Sequence, residues 1–550
     1  MKKIIFGCLL SILAFSCAVS TSAQTLSSEE SPKYEIRAVW LTTIGGIDWP
    51  RSHSINVQKA ELCDMLDRLK EAGINTIFLQ TRVRGTVIYP SAFEPWDDCL
   101  TGKAGKSQVY DPLEFDIEEC HKRGLQLHAW VVTIPIGKWN KQGCAQLNKK
   151  HPKMVKRIGE DGYMNPESPK TAEYLAKICK EIVDNYDVDG IHLDYIRYPE
   201  TWKIKVPKSK GRANITQIVR AIHKEIKSSK PWVMLSCSPI GKHDDLTRYR
   251  SNGWNARTTV CQDAQQWLKE GIMDALFPMM YFRDNHFYPF ALDWQEHSYG
   301  RIVVPGLGIY FLDPREGRWT SDVVTRQMNV IRELGMGHCF FRVKYLLDNV
   351  KGVYDWTKDF NKFPALIPPM NWLSRKLPDQ PVLKGISNEG VLSWTDVPIN
   401  PQNRLVYNVY ASEQYPVDVT KSENLIATRL TENSLMIDIK HPVNYAITAQ
   451  DRYGNESRAT QICLHEPHGA PQSSSTMIPI VDQYLSLPSK PSTLNADFIV
   501  IETLARQTVT VCPYKKQINT SMLNEGIYQW RTLDKKGVTH RMGFFSIKRH

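Results

Sequence analysis

The chain has 550 residues, 42% of them hydrophobic and 23% charged, with 31 glycines and 32 prolines. This composition excludes a disordered or collagen-like chain and leaves room for a barrel-sized core and more than one domain. The formal net charge of +11 is spread along the sequence and not gathered in one basic arm, so no nucleic-acid partner is expected, and an anionic glycan surface is compatible with the charge.

Residues 1–23 read as an export signal. Lys2 and Lys3 precede an apolar run over 4–19, and Thr21-Ser22-Ala23 supplies small residues before Gln24. Simple cleavage after Ala23 places the protein in the periplasm or on a membrane facing it. Lipidation at Cys17, which would attach it to the membrane, is the alternative, although Ala14-Phe15-Ser16 fit that pattern poorly. The 12 cysteines are scattered singly with no Cys-x-x-Cys pair, so neither a zinc site nor a dense disulfide framework is expected.

From residue 34 onward strand and helix patterns alternate about eight times. A strand over 35–41 is followed by a helix over 57–71, with Leu62, Met65, Leu66 and Leu69 at helical spacing and Gly73 as its stop. The strand over 76–83 leads into a long loop, 84–105, carrying Glu94, Trp96 and Asp97; loops of this length tend to be functional. A helix over 112–123 is capped by Asp111 and ended by Gly124, and the strand over 125–133 bears His128 and Trp130 on one face. A long loop with Lys138, Trp139 and Lys141 follows, then a helix from near 168 to before 187, a strand over 188–194, a helix over 215–228 and a strand over 233–238. The pattern closes with a short helix at 264–269, strands over 275–281 and 301–309, an amphipathic helix over 320–334 and a strand over 338–343.

Repetition without antiparallel pairing signals predicts an α/β architecture, a (β/α)8 TIM barrel over 33–370, with an open doubly wound sheet as the rival. No Gly-x-Gly-x-x-Gly follows the first strand and no complete Gly-x4-Gly-Lys-Ser/Thr loop is present, so the nucleotide-binding form of the open sheet lacks its usual support. Past Pro364 the pattern changes, and one or two small all-β sandwich-like domains are expected. Pro368, Pro369 and Pro378 mark a linker, and short period-two strands over 391–394, 404–411 and 445–450 follow. Residues 380–465 resemble a fibronectin type III module, with Trp394 in its core. A Ser- and Pro-rich linker spans 466–490, and 491–550 reads as a small C-terminal β domain.

The stretch 188–199 carries the chemistry. His192 and Asp194 share one face of its strand, so Asp194 is delivered to the C-terminal mouth of the barrel, where such folds place catalytic groups. Asp189, at the other end, reads as a structural turn residue.

Glu35-Ile36-Arg37-Ala38-Val39-Trp40-Leu41, Phe78-Leu79-Gln80-Thr81-Arg82, Tyr89-Pro90-Ser91, Glu94-Pro95-Trp96, Leu127-His128-Ala129-Trp130, the stretch 189–199, Phe277-Pro278-Met279-Met280-Tyr281 and Gly306-Leu307-Gly308-Ile309-Tyr310 together resemble the glycosyl hydrolase-like 10 family. The likeness covers about 33–370. It implies an exported bacterial barrel related to amylase-type glycosidases, acting on an envelope polysaccharide, with peptidoglycan glycan strands as one candidate substrate. Two departures stand out. Tyr195 occupies a position where the family commonly has a second acid, and Ile134-Pro135-Ile136 replaces a polar turn.

Glycosidic cleavage takes two carboxyl groups, one protonated and one ionised. Asp194 is expected to be the ionised nucleophile or base, its pKa kept low by Arg82 and Arg197. The second carboxyl is open among Glu94, Asp97, Asp284, Asp313 and Glu316, with Asp313 favoured because the seventh strand's tip faces the fourth's across the mouth. Trp96, Trp130, Trp139, Trp202 and Tyr281 are expected to pack sugar faces, His128 to bind a hydroxyl, and Tyr195 to take part in substrate binding. No cofactor or metal is expected. The alternatives are a catalytically inactive carbohydrate-binding barrel, and a metal-assisted deacetylase or esterase using His128, His192 and Asp194.

Overall fold

The computed structural model describes residues 31–249, 253–395, 404–438, 443–462, 480–481, 483–487, 497–504, 507–535 and 539–548. The leader, with Cys17 and Ala23, lies outside the described residues. Parallel strands β1 (Arg37–Leu41), β2 (Thr76–Arg82), β3 (Gln126–Val132), β4 (Gly190–Asp194), β5 (Met234–Cys237) and β6 (Ala275–Leu276) pair in sequence order. The strand expected over 301–309 is β7, interrupted into Ile302–Val303 and Gly306–Leu307. Its first half pairs with β6, and its second half with β8 (His338–Phe340). Because β8 also pairs with β1, the ring closes. The break falls at Val304-Pro305, where Pro305 has no N–H to give to a ladder.

Helices between successive strands form the outer layer. The helix Pro112–Lys122 starts where the sequence placed it, because the Asp111 carboxylate accepts from the N–H groups of Leu113 at 3.1 Å and Glu114 at 3.3 Å. Inside, Trp40, Phe78, Trp130, Met234, Phe277 and Cys339 fill the barrel. A side-chain carbon at Gly306 would lie 2.8 Å from the Trp40 ring, so the indole occupies the barrel centre only because that position is glycine. The loop after β3 is not a plain loop: Pro135–Lys138, Val155–Ile158 and Asp161–Met164 form a three-stranded antiparallel sheet, around a helix at Gln142–Lys150. The apolar Ile134 and Ile136 are fully buried there, which is why a polar turn is absent.

Beyond the barrel, a three-stranded sheet (Leu383–Ile386, Val391–Trp394, Ser434–Met436) faces a four-stranded one (Val406–Ser412, Leu425–Leu430, Asn444–Gln450, Thr460–Ile462), with Trp394 fully buried in the core between them. Ile480–Val481 and Tyr484–Ser486, inside the expected linker 466–490, are instead strands of the last unit, paired with Thr539–Ile547 and Gln517–Asn519.

The middle module does not hang free. Ile367 and Met370 plug the barrel's N-terminal end, and Met370 N–H donates to Tyr453 O at 2.7 Å. Arg429 reaches from the module to Asp189 at 2.8 Å, and Arg452 to Asp187 at 2.8 Å. Asp189 also accepts from Leu127 N–H at 2.9 Å and lies 2.9 Å from His121. Burial pushes its carboxyl up, but Arg429 and His121 outweigh that and hold it far below the ordinary range.

Arg429→Ala leaves this buried carboxylate without its arginine and is expected to destabilise the protein by about 3 kcal/mol at neutral pH. Since the folded pKa is depressed, that stabilisation is present above about pH 4 and is lost as pH falls through the folded value. Denaturant titrations at neutral and acidic pH should therefore show the gap between wild type and variant closing in acid.

Candidate active site

Asp194 ends β4 at the C-terminal mouth and is only 8% exposed. Donors from three adjacent strands converge on its carboxylate. From β3, Trp130 Nε1 donates at 3.2 Å; just past β5, Ser238 Oγ donates at 3.0 Å; and Tyr195 N–H donates at 2.8 Å. Tyr195 adopts φ +53°, in the left-handed region, which costs a non-glycine residue about 1 kcal/mol or more. Burial raises the Asp194 pKa above the ordinary carboxylate value, and the opposing effects of Arg197, Ser238, Tyr195 N–H and Trp130 do not cancel it. The sequence reading of a lowered pKa is thus reversed.

Arg197 is brought to this site and Arg82 is not. The Arg197 guanidinium lies 4.4 Å from the Tyr195 ring centroid and 5.7 Å from that of Trp254, and donates to Glu200 at 2.7 Å. At Arg82 the register between β2 and β3 shifts, so Arg82 stands opposite Val131 and not in the alternation expected of it. It is fully buried, donating to both oxygens of Glu94 at 2.8 and 2.6 Å and to the carbonyls of Val132 and Thr133. Tyr174 also donates to Glu94, at 3.3 Å. Arg82 and Glu94 therefore tie the loop after β2 to the barrel wall, and neither is available to substrate.

His128 faces the interior but at the wrong height. It pairs with Gly190 at the start of β4, its ring packs where a Gly190 side chain would sit, and burial lowers its pKa to about 4. It lies at the barrel floor, away from any sugar at the mouth. One layer up, His192 Nε2 accepts from Trp40 Nε1 at 3.2 Å, its Nδ1 lies 3.0 Å from Ser236 Oγ, and Phe78 stacks on it at 4.2 Å. Burial drives its pKa far down and keeps it neutral. His128, His192 and Asp194 are thus separately engaged and do not form one ligand set.

The aromatic expectations divide. Tyr281 is half-buried in the loop after β6, 5.4 Å from Phe341 and 5.7 Å from Tyr310, and Asp194 adds to the rise of its pKa after burial and Cys339. Trp130 holds Asp194. Trp96 packs half-buried on the core between strands and helices. Trp202, 5% exposed, faces Lys156 and Tyr163 of the antiparallel insert. Trp254, 42% exposed, and Tyr310 were not foreseen.

Of the candidate second acids, Asp97 accepts from Thr86 and Cys99 N–H within its own loop, Asp284 is turned outward with its side chain 74% exposed, and Glu316 accepts from Tyr345 at 3.2 Å. Asp313 accepts from Arg315 Nη2 at 2.6 Å and Nε at 3.0 Å, and those bonds hold its pKa at about 2. It is an ionised carboxylate.

Comparison with known proteins places the chain. The profile of "Glycosyl hydrolase-like 10" matches residues 35–210 and 203–307, which span β1 to β7 and include Asp194 with its donors Trp130, Tyr195 and Ser238. The chain belongs to the glycosyl hydrolase-like 10 family. This member is 29% identical over 474 residues to "Glycosyl hydrolase YngK" of Bacillus subtilis (strain 168), covering 78% of this chain and 92% of that protein. It is 30% identical over 288 residues to "Glycosyl hydrolase DigH" of Escherichia coli (strain K12), covering 45% and 65%. Among solved structures it is similar to the PgaB (BpsB) glycoside hydrolase domain from Bordetella bronchiseptica, with a TM-score of 0.42 at 12% identity, covering 59% and 98%.

Trp130→Phe keeps the ring and removes one donor from the carboxylate. The Asp194 pKa is expected to rise further by about one unit, the worth of one charge-assisted hydrogen bond. The limb of the pH–activity profile that reports this group should move to higher pH by that amount, and Ser238→Ala should do the same.

Proposed function

We propose that the protein is an exported glycoside hydrolase that cuts glycosidic bonds of a bacterial envelope polysaccharide, with peptidoglycan glycan strands as the candidate substrate. The observation that carries this reading is Asp194: a carboxyl at a barrel-strand tip, pushed up by burial, held by three donors, and bordered by Tyr195 and Tyr281. Its role is that of the acid that protonates the leaving oxygen. Asp313, held low by Arg315, has the opposite character and serves as the ionised partner; two carboxyls whose environments push their pKa values apart are the usual acid and base of such a reaction. The residue 1–23 leader exports the chain. Among the described residues no helix is long and apolar enough to cross a membrane. The seven-stranded module after the barrel, read as fibronectin type III-like, holds the barrel floor.

A second reading is favoured by Tyr195 standing where an acid is common and by Arg315 occupying Asp313. In it the barrel binds glycan without cleaving it.

Asp194→Asn keeps the shape of the group and is expected to cut turnover of natural glycan by several powers of ten, while costing no more than about 2 kcal/mol of stability. An aryl glycoside, whose leaving group needs no proton, should lose far less rate. Product release by mass spectrometry and a melting curve on one preparation decide it, and a stable, fully active variant ends the assignment.

A further inference from the structure

Two half-exposed aromatic groups rise from the barrel's C-terminal loops on different sides of Asp194. One belongs to the loops after β4 and β5. There Tyr195 and Trp254 hold the Arg197 guanidinium between them, and Trp254 is 42% exposed while Arg197 is 2% exposed. Arg197 Nε is buried without a hydrogen-bond partner among the described residues, so this side holds an unused donor as well as a ring. The other group belongs to the loops after β6, β7 and β8. Tyr281 and Phe341 lie 5.4 Å apart, and Tyr310 lies 5.7 Å from Tyr281, 5.9 Å from Phe341 and 4.1 Å from Phe311. In the closed ring β8 stands opposite β4 and β7 lies three strands from it, so the loops carrying Tyr310 and Phe341 leave the rim on the other side of the mouth from the loop carrying Tyr195 and Arg197. Tyr281 is the member of the second group close enough to Asp194 for its hydroxyl to feel that charge.

Pyranose rings pack their apolar faces on Tyr and Trp, and a single sugar fills one such platform. Rings on both sides of one carboxyl fit a chain that passes through, not a chain end that stops at it. We propose that the mouth is a continuous groove for several sugar units, with Trp254 as the platform on one side of the cleaved bond and Tyr310 on the other, so that the glycan is cut internally. This rests on the reading of Asp194 as the catalytic carboxyl.

The test uses full-length Asp194→Asn protein and peptidoglycan glycan strands graded by length, with binding measured by calorimetry and early wild-type products sized by mass spectrometry. Affinity should rise with length beyond a disaccharide. Trp254→Ala and Tyr310→Ala should each weaken binding of long strands about tenfold, with Trp254→Phe close to the parent, and early wild-type products should be of mixed length. Affinity that does not depend on length, or early products of one unit size, overturns the groove and leaves the glycosidase reading standing. If no strand of any length binds and wild type releases nothing, the glycosidase reading falls and the groove with it.

Discussion

A carboxyl group that is 8% exposed inside a barrel mouth stays there only if the protein gives back the hydrogen bonds that water would have made. Here the repayment comes from three neighbouring strands, β3 through Trp130, β4 through the Tyr195 N–H, and β5 through Ser238. Each donor depends on the ladder register that sets its strand beside the next, so the site exists because the barrel closes. The left-handed backbone at Tyr195 belongs to the same arrangement. It is the residue whose N–H reaches the carboxylate, and its ring packs against the Arg197 guanidinium beside the mouth.

Strand β4 is fixed at its other end by a second aspartate. Asp189 takes Arg429 from the β module, His121 from a barrel helix and the Leu127 N–H from β3. Breaking a buried pair strands a charge, whereas the module's removal would also expose Ile367 and Met370 at the floor. The module is therefore part of the barrel's closure at the face opposite the chemistry. Two clefts, of about 460 and 450 Å³, border this junction and not the mouth. They measure how two domains meet, and their size says nothing about where a carboxyl has been placed to react.

Much of this was legible in the residues. Apolar runs of strand length separated by capped, amphipathic helices give the barrel, and period-two alternation correctly faces His192 and Asp194 inward. What alternation cannot give is height, since a strand rises about 3.3 Å per residue; His128 faces inward as expected but at the floor. Nor can it see a register shift. One extra residue at the β2 bend turns Arg82 into the wall, where Glu94 waits for it, and the two site candidates become one structural pair. The antiparallel insert was missed because its strands are only four residues long, too short for a period to show. Trp254 and Tyr310 were missed for a different reason: a lone aromatic in a loop has no periodicity, and only the folded ring shows which loops share a mouth.

The acid and base characters of Asp194 and Asp313 illustrate why charge neighbours in sequence are poor guides to ionisation. Arg197 is three residues from Asp194 and does pull its pKa down, yet burial wins, because the cost of desolvating a carboxylate exceeds what one arginine shared with Glu200 returns. Arg315, two residues from Asp313, outweighs the burial that opposes it. It grips both carboxylate oxygens at the rim, and ionisation is favoured. The same pair of residue types at nearly the same spacing thus yields opposite proton affinities. The two carboxyls are about equally covered, at 8% and 6% exposed, so the difference lies in where the arginine's hydrogen bonds go: Arg315 gives two to Asp313, whereas Arg197 gives its own to Glu200.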